Sequence, residues 1–250
     1  SGLGAMAVCD CFYDSAVLGR KTALRVVLPD QGAQRDAPVF TLLHGLDGTY
    51  LSGFDNTELV PLCERYGVVF LLPDAKNSYY TDSETVGAYY TQIATELPVR
   101  AAQYFNLRGA QHIAGVSMGG HGALKLALCD PARFETAASF SGVIDLARKT
   151  DSPFFARQEQ TRTLALGANF SAENDLFSLV RRAGAAPCRT RFYQFCGTED
   201  FLYDMNREFR DAARASRLNL TYREDAGDHT WPVWNRELAR YIPWAIGARF

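Results

Sequence analysis

The 250-residue chain contains no apolar run approaching the roughly 18–20 residues a membrane-spanning helix requires, which argues against a membrane protein. It shows no charged segment followed by an apolar one at its start, so no secretory leader is expected. Residues 1–5 (SGLGA), ahead of Met6, read as a cloning remnant outside any fold argument. Charge bias is also missing: 26 Lys and Arg stand against 28 Asp and Glu, with neither a basic stripe nor an acidic tail, so a nucleic-acid partner is excluded. Cysteine is sparse. Apart from Cys9 and Cys11, the six are scattered, whereas a disulfide scaffold is shorter and denser in them. They read as reduced thiols of a cytoplasmic protein, most of them small apolar fillers. Cys9 and Cys11 lack a second Cys/His pair, so no metal site is expected.

What is present is an alternation of strand and helix patterns. Residues 22–28, 38–43, 68–72, 111–114, 136–140, 191–195 and 219–222 read as strands, several of them continuous apolar runs of the kind buried on both faces. Residues 84–105, 118–128, 203–216 and 233–246 read as helices, the first broken or kinked at Pro98. Such alternation predicts an α/β fold with a mainly parallel central sheet and helices on both faces. Without repeats or linkers, residues 1–250 are expected to form one domain. The least regular stretch, 145–187, reads as a candidate cap or insertion.

Gly115-Val116-Ser117-Met118-Gly119-Gly120 lies between a strand and a helix. In that context G-x-S-x-G is a nucleophile elbow: the turn is so tight that residues two before and two after the serine must be small. The serine hydroxyl then stands at a helix N-terminus, where the Met118 amide can bind an oxyanion. A glycine-rich turn without chemistry has the same letters, so the remaining parts decide. His44-Gly45-Leu46-Asp47-Gly48 ends an earlier buried strand, where this fold places its second oxyanion donor, here the Leu46 amide. The order on this fold is serine, acid, histidine. Of four histidines only His229 follows Ser117 with room for an acid between. Asp200, directly after a strand, is the preferred acid over Glu199, Asp204, Asp225 and Asp228.

Six stretches carry a family resemblance: LLHGLDGTYLSGFD from Leu42, LLPDAKNSYYTD from Leu71, IAGVSMGGHGALKLAL from Ile113, FSGVIDL from Phe140, CGTEDFLY from Cys196 and GDHTWPVW from Gly227. The chain resembles the S-formylglutathione hydrolase/esterase D family of α/β-hydrolases, most closely its bacterial tributyrin esterase branch. The resemblance implies a serine esterase of short-chain acyl esters with Ser117 as nucleophile, Asp200 as acid and His229 as base. It implies an oxyanion hole at Leu46 and Met118, and it places Tyr79, Tyr80 and Asp82 near the mouth of the site. Trp231, beside the histidine, is expected to line the acyl pocket. No cofactor is needed, and a homo-oligomer, dimer or tetramer, is expected. Relatives also act on feruloyl or acetyl esters of plant polysaccharides and on S-formylglutathione, which gives two alternative substrates. A non-catalytic binding module is the alternative outside enzymes; such modules usually lose a triad member, and here all three stand in order. One departure is AGDH before the histidine, where GGH is common.

Overall fold

Strands buried at every position form the centre of the sheet: β3 (Val39–Leu43), β4 (Val69–Pro73) and β8 (Thr136–Phe140) have no exposed residue. The structure, a computed structural model, describes residues 7–29, 35–148, 153–167, 171–185 and 187–248, without the side chains of 154–158. With β1 (Ala7–Ser15), β2 (Arg20–Leu28), β7 (Gln111–Val116), β9 (Arg191–Gly197) and β10 (Leu220–Asp225) they make an eight-stranded sheet in the order β1-β2-β4-β3-β7-β8-β9-β10. β1 pairs antiparallel with β2, and β2 with β4; every other pairing is parallel. The expected mainly parallel α/β-hydrolase sheet is therefore present.

Alternate residues of each strand feed opposite faces. Phe40, Leu42, Phe70, Val116 and Phe140 belong to one core, and Val39, Leu43, Leu71 and Ile113 to the other. The first core is covered by α2 (Leu59–Tyr66) and α9 (Trp231–Ala245), with the short α1 (Ser52–Asn56) beside them. The second is covered by α4 (Leu97–Phe105), α5 (Met118–Cys129), α7 (Leu176–Gly184) and α8 (Tyr203–Ala215). Among the described residues no helix is long and apolar enough to cross a membrane.

Three local differences from the sequence reading have physical causes. β1 was not anticipated because its alternation is written in small and charged residues. Cys9, Cys11 and Tyr13 face the core, while Asp10 and Asp14 point out and pair with Arg25 (2.7 Å) and Lys21 (2.9 Å) of β2. Residues 84–88 are not helical: β5 (Asp82–Ser83) and β6 (Gly87–Ala88) form a two-stranded ladder, and the helix starts with α3 (Tyr89–Thr91). Pro98 does not end that helix. A π turn, Gln92–Glu96, precedes it, with the Leu97 N–H bonded five residues back to the Gln92 carbonyl. Proline has no N–H for the carbonyl four residues back, Ala94, and the Arg133 guanidinium donates to that carbonyl instead.

Within 145–187, residues 149–152, 168–170 and 186 lie outside the described residues. α6 (Pro153–Leu166) touches the small ladder, Ser83 donating to the Leu164 carbonyl (3.1 Å). α7 buries Leu176, Leu179, Val180 and Ala183 and is an ordinary layer helix between β8 and β9.

Arg133→Met leaves the Ala94 carbonyl without its donor and should cost about 1–3 kcal/mol in urea denaturation. A change below about 0.5 kcal/mol, typical of an uninvolved surface site, would mean that the carbonyl is satisfied in another way.

Candidate active site

The turn between β7 and α5 places Ser117 at φ 55°, ψ −117°, a left-handed backbone that an L-residue adopts only under constraint. The constraint is close backbone packing. A Cβ on Gly115 would stand 2.1 Å from the Gly119 carbonyl oxygen, and one on Gly119 would stand 2.1 Å from that of Leu43. Only glycine fits either position, which is the reason for the motif's spacing. The strained residue is pinned by its own backbone: its N–H bonds Phe140 O (3.0 Å), and its carbonyl accepts from Val143 N (3.1 Å) and His121 N (3.2 Å).

Asp200 follows β9, and His229 lies in the loop between β10 and α9. The His229 Nε2 is 3.0 Å from the Ser117 Oγ, and its Nδ1 is 2.9 Å from the Asp200 Oδ2. Asp200 is 5% exposed, and its Oδ1 also accepts the Leu202 N–H at 2.9 Å. The imidazole stands between two rings, Phe201 at 4.6 Å and Trp234 at 4.8 Å between centroids, the latter edge-on. The rival carboxylates Asp204, Asp225 and Asp228 are exposed; Asp225 pairs with Arg240 (3.6 Å), and Asp228 accepts the Thr230 hydroxyl (2.6 Å). Glu199 serves the loop, accepting the Gly227 N–H. Gly197 meets Gly227 so closely that a Cβ there would lie 2.1 Å from the Gly227 oxygen.

The loop after β3 approaches Ser117 from the other side, and a Cβ on Gly45 would be 3.3 Å from that of the serine. Among the described residues, the amides of Leu46 and Met118 have no hydrogen-bond acceptor. The loop is held by three contacts. Asp47 and Asn77 exchange two bonds of 2.8 Å. His44 is buried; its Nε2 accepts the Ala75 N–H (3.0 Å), so its proton is assigned to Nδ1, which donates to Gly45 O (2.8 Å). Burial lowers the His44 pKa and keeps the ring neutral. The Tyr80 hydroxyl donates to the His44 carbonyl at 2.9 Å.

A pocket of about 300 Å³ opens at Ser117, walled by Leu46, Asp47, Val116, His229, Trp231 and Trp234. No described residue of 145–187 lines it. Trp231, expected at the acyl pocket, is one of the residues that wall this one. Tyr79 and Tyr80 are buried, 2% and 0% exposed, and neither is among the described residues that line the pocket. The Tyr80 ring fills the slot left by Gly122, whose Cβ would lie 2.4 Å from it, and props the loop from behind. Asp82 caps the following helix through Thr91 N (2.9 Å) and the Thr91 hydroxyl (2.6 Å). Trp234 was missed. It lines the pocket, and its indole N–H donates to Ser141 Oγ at 3.0 Å. The signal was available: it stands three residues after Trp231 at the start of a helix, hence on the same face. The other two histidines are buried supports, His112 stacked on Phe40 and His121 bonded to Val143 O (3.0 Å).

Tyr80→Phe removes the donor from a buried carbonyl and should lower stability by about 1–3 kcal/mol in chemical denaturation. If the variant is as stable as wild type, the hydroxyl does not support the loop.

The α/β-hydrolase architecture is shared with solved structures. The fluorophosphonate-binding serine hydrolase F of Staphylococcus aureus superposes with a TM-score of 0.86 at 24% identity, covering 97% of this chain and 99% of that one. An S-formylglutathione hydrolase of Staphylococcus aureus gives 0.83 at 24% identity, with 97% and 99% covered. In sequence, an acetyl esterase of Caldicellulosiruptor saccharolyticus is 27% identical over 263 residues, 96% of this chain and 98% of that protein. None of these three bears the name of a tributyrin esterase. The model of the family described as putative esterase matches residues 15–245, nearly the whole chain, and the protein belongs to that family.

Proposed function

We propose that this serine ester hydrolase acts on short-chain acyl esters through an acyl-enzyme at Ser117, with His229 as general base and Asp200 as the acid that orients it. The observation that carries the reading is the single imidazole spanning Ser117 Oγ (3.0 Å) and Asp200 Oδ2 (2.9 Å). Both distances lie within hydrogen-bond reach for proton transfer. Asp200, accepting from Nδ1, fixes the tautomer whose Nε2 can take the serine proton, and it stabilises the imidazolium that results.

In this mechanism Ser117 Oγ attacks the ester carbonyl as its proton passes to His229 Nε2. The carbonyl oxygen, now an anion, receives the amides of Leu46 and Met118. Collapse breaks the bond to the alcohol, which leaves with the proton from His229. Water repeats the sequence on the acyl-enzyme, and the carboxylic acid departs. No cofactor takes part.

Acyl size follows from the pocket. Its volume of about 300 Å³ is at the small end for ligand sites, and Trp231 and Trp234 wall it. That supports acetyl or butyryl groups, in keeping with the acetyl esterase relative and the expected tributyrin branch. A second reading has its own support: the two indoles, edge to face at 5.2 Å, present a surface on which a planar feruloyl group can stack. All six cysteines are unbridged, which supports the cytoplasm as the compartment. A single-domain dimer or tetramer is the proposed assembly, testable by light scattering on the eluting peak.

The test is hydrolysis of p-nitrophenyl acetate, butyrate and octanoate, methyl ferulate and S-formylglutathione by wild type and Ser117→Ala. Turnover should favour acetate and butyrate and fall to background in Ser117→Ala; substantial activity in that variant sinks the nucleophile. Asp200→Asn should lose about 10⁴-fold in kcat, the cost of the wrong tautomer in such triads. Asp204→Asn should change little, and the reverse ranking would reassign the acid.

A further inference from the structure

α5 carries a lysine that the ester chemistry does not use. Lys125 is 4% exposed, yet among the described residues no carboxylate pairs with its ammonium. The Nζ donates to Tyr80 O (3.1 Å) and Asn174 Oδ1 (2.7 Å) and stands 4.8 Å from the Tyr90 ring centroid. All three partners are neutral, and an ammonium has three protons. Burying a cation without a directly paired counter-charge is costly, and that burial lowers the lysine pKa to about 8 against the weaker opposing pull of Cys129, Asp82 and Glu173.

Lys125 lies in the wall of a cavity of about 470 Å³, larger than the pocket at Ser117 and, among the described residues, sharing no lining residue with it. Tyr90 and Leu166 give this cavity an apolar side, Thr81 and Ser171 give it hydroxyls, and Arg182 adds a second cation. Two acids also line it. The Asp82 carboxylate is taken by Thr91, while Glu173 is exposed on the 3-10 turn Ala172–Asn174.

We propose that this cavity is a second binding site, which takes a short aliphatic monocarboxylate with its head group on Lys125 and its tail on Tyr90 and Leu166. The lining sets two cations, the buried Lys125 and the exposed Arg182, against two carboxylates, Asp82 and Glu173, so the smaller charge of a monoanion is favoured. A dianion such as phosphate is repelled by Asp82 and Glu173 more strongly than a monoanion is, and it has no use for the apolar wall. The ligand supplies a counter-charge in direct contact, which Asp82 and Glu173 do not, and its carboxylate takes a charge-assisted bond from the ammonium.

The site stands apart from the catalytic reading and is tested by binding alone. Butyrate is titrated into Ser117→Ala and followed by ligand-observed NMR, with inorganic phosphate as the comparison anion. Saturable butyrate binding is expected, weakened at least tenfold by Lys125→Met and tightened severalfold by Glu173→Gln, with phosphate binding far more weakly. Absence of saturation overturns the proposal, and so does equal affinity for phosphate. Equal butyrate affinity in a folded Lys125→Met protein would place the ligand at the Ser117 pocket instead. Should Lys125→Met not fold, the exposed Glu173→Gln decides, and an unchanged affinity there rejects the site. Retained esterase activity in Ser117→Ala would sink the catalytic assignment and leave this one untouched.

Discussion

The crossing of backbone at Ser117 constrains everything around it. β7 has to turn into α5 within one residue, and the glycines at 115 and 119 let the chain pass against the Gly119 and Leu43 carbonyls with no space for a side chain. The serine is left at φ 55°, a conformation costing of order 1–3 kcal/mol, held by backbone bonds to Phe140, Val143 and His121. Sheet register then delivers the remaining parts. Leu43 pairs with Gly115, so two residues later Gly45 arrives beside Ser117. Phe140 pairs with Phe195, and Gly197 with Asp225, so Asp200 and His229 emerge from adjacent strand ends at the same edge. Parallel strands place such loops together at their carboxyl ends, which is where this fold class builds its sites.

Around this geometry the protein buries three of its four histidines in neutral form. His44, His112 and His121 are all shifted by burial toward the uncharged ring, His112 to about 4 and His121 to about 3. His229 differs in its surroundings: it is part-exposed between Phe201 and Trp234, with a buried carboxylate at its back. The loop facing the serine depends on buried polar groups, since Lys125 holds the Tyr80 carbonyl, Tyr80 holds the His44 carbonyl, and the next residues are Gly45 and Leu46. A lysine two turns into α5 is therefore linked through three hydrogen-bonded residues to the loop facing the serine.

This chain of support explains what could and could not be read from the letters. The sheet was legible because continuous apolar runs such as VFLLP have one stable place, the middle of a covered sheet. The meeting of Ser117, Asp200 and His229 could be anticipated because each sits in a short segment whose glycines mark a forced turn. The burial of Tyr79 and Tyr80 was not legible because proximity in sequence to a site loop does not tell which way a ring points. Both take positive φ, and the turn sends Tyr80 beneath the loop and away from the pocket. β1 was missed because its buried side is written in cysteines and one tyrosine, which give little hydrophobic contrast. Nothing local to Pro98 announces the π turn, since the group that makes it tolerable, Arg133, comes from a different part of the chain.

The same reasoning accounts for the departure at AGDH. Gly227 takes φ 152°, which L-residues avoid; a Cβ there would meet the Val233 side chain at 2.8 Å, and its carbonyl leaves no room for one on Gly197. Asp228, where relatives often carry a second glycine, is not among the positive-φ residues and is exposed. Its carboxylate accepts the Thr230 hydroxyl, and its carbonyl accepts the Thr230 N–H at 3.0 Å. A side chain at 228 therefore meets no steric objection, and it adds a bond to the residue that opens α9. The position next to the histidine can vary because the constraint on the loop is carried at 227, where the two loops touch.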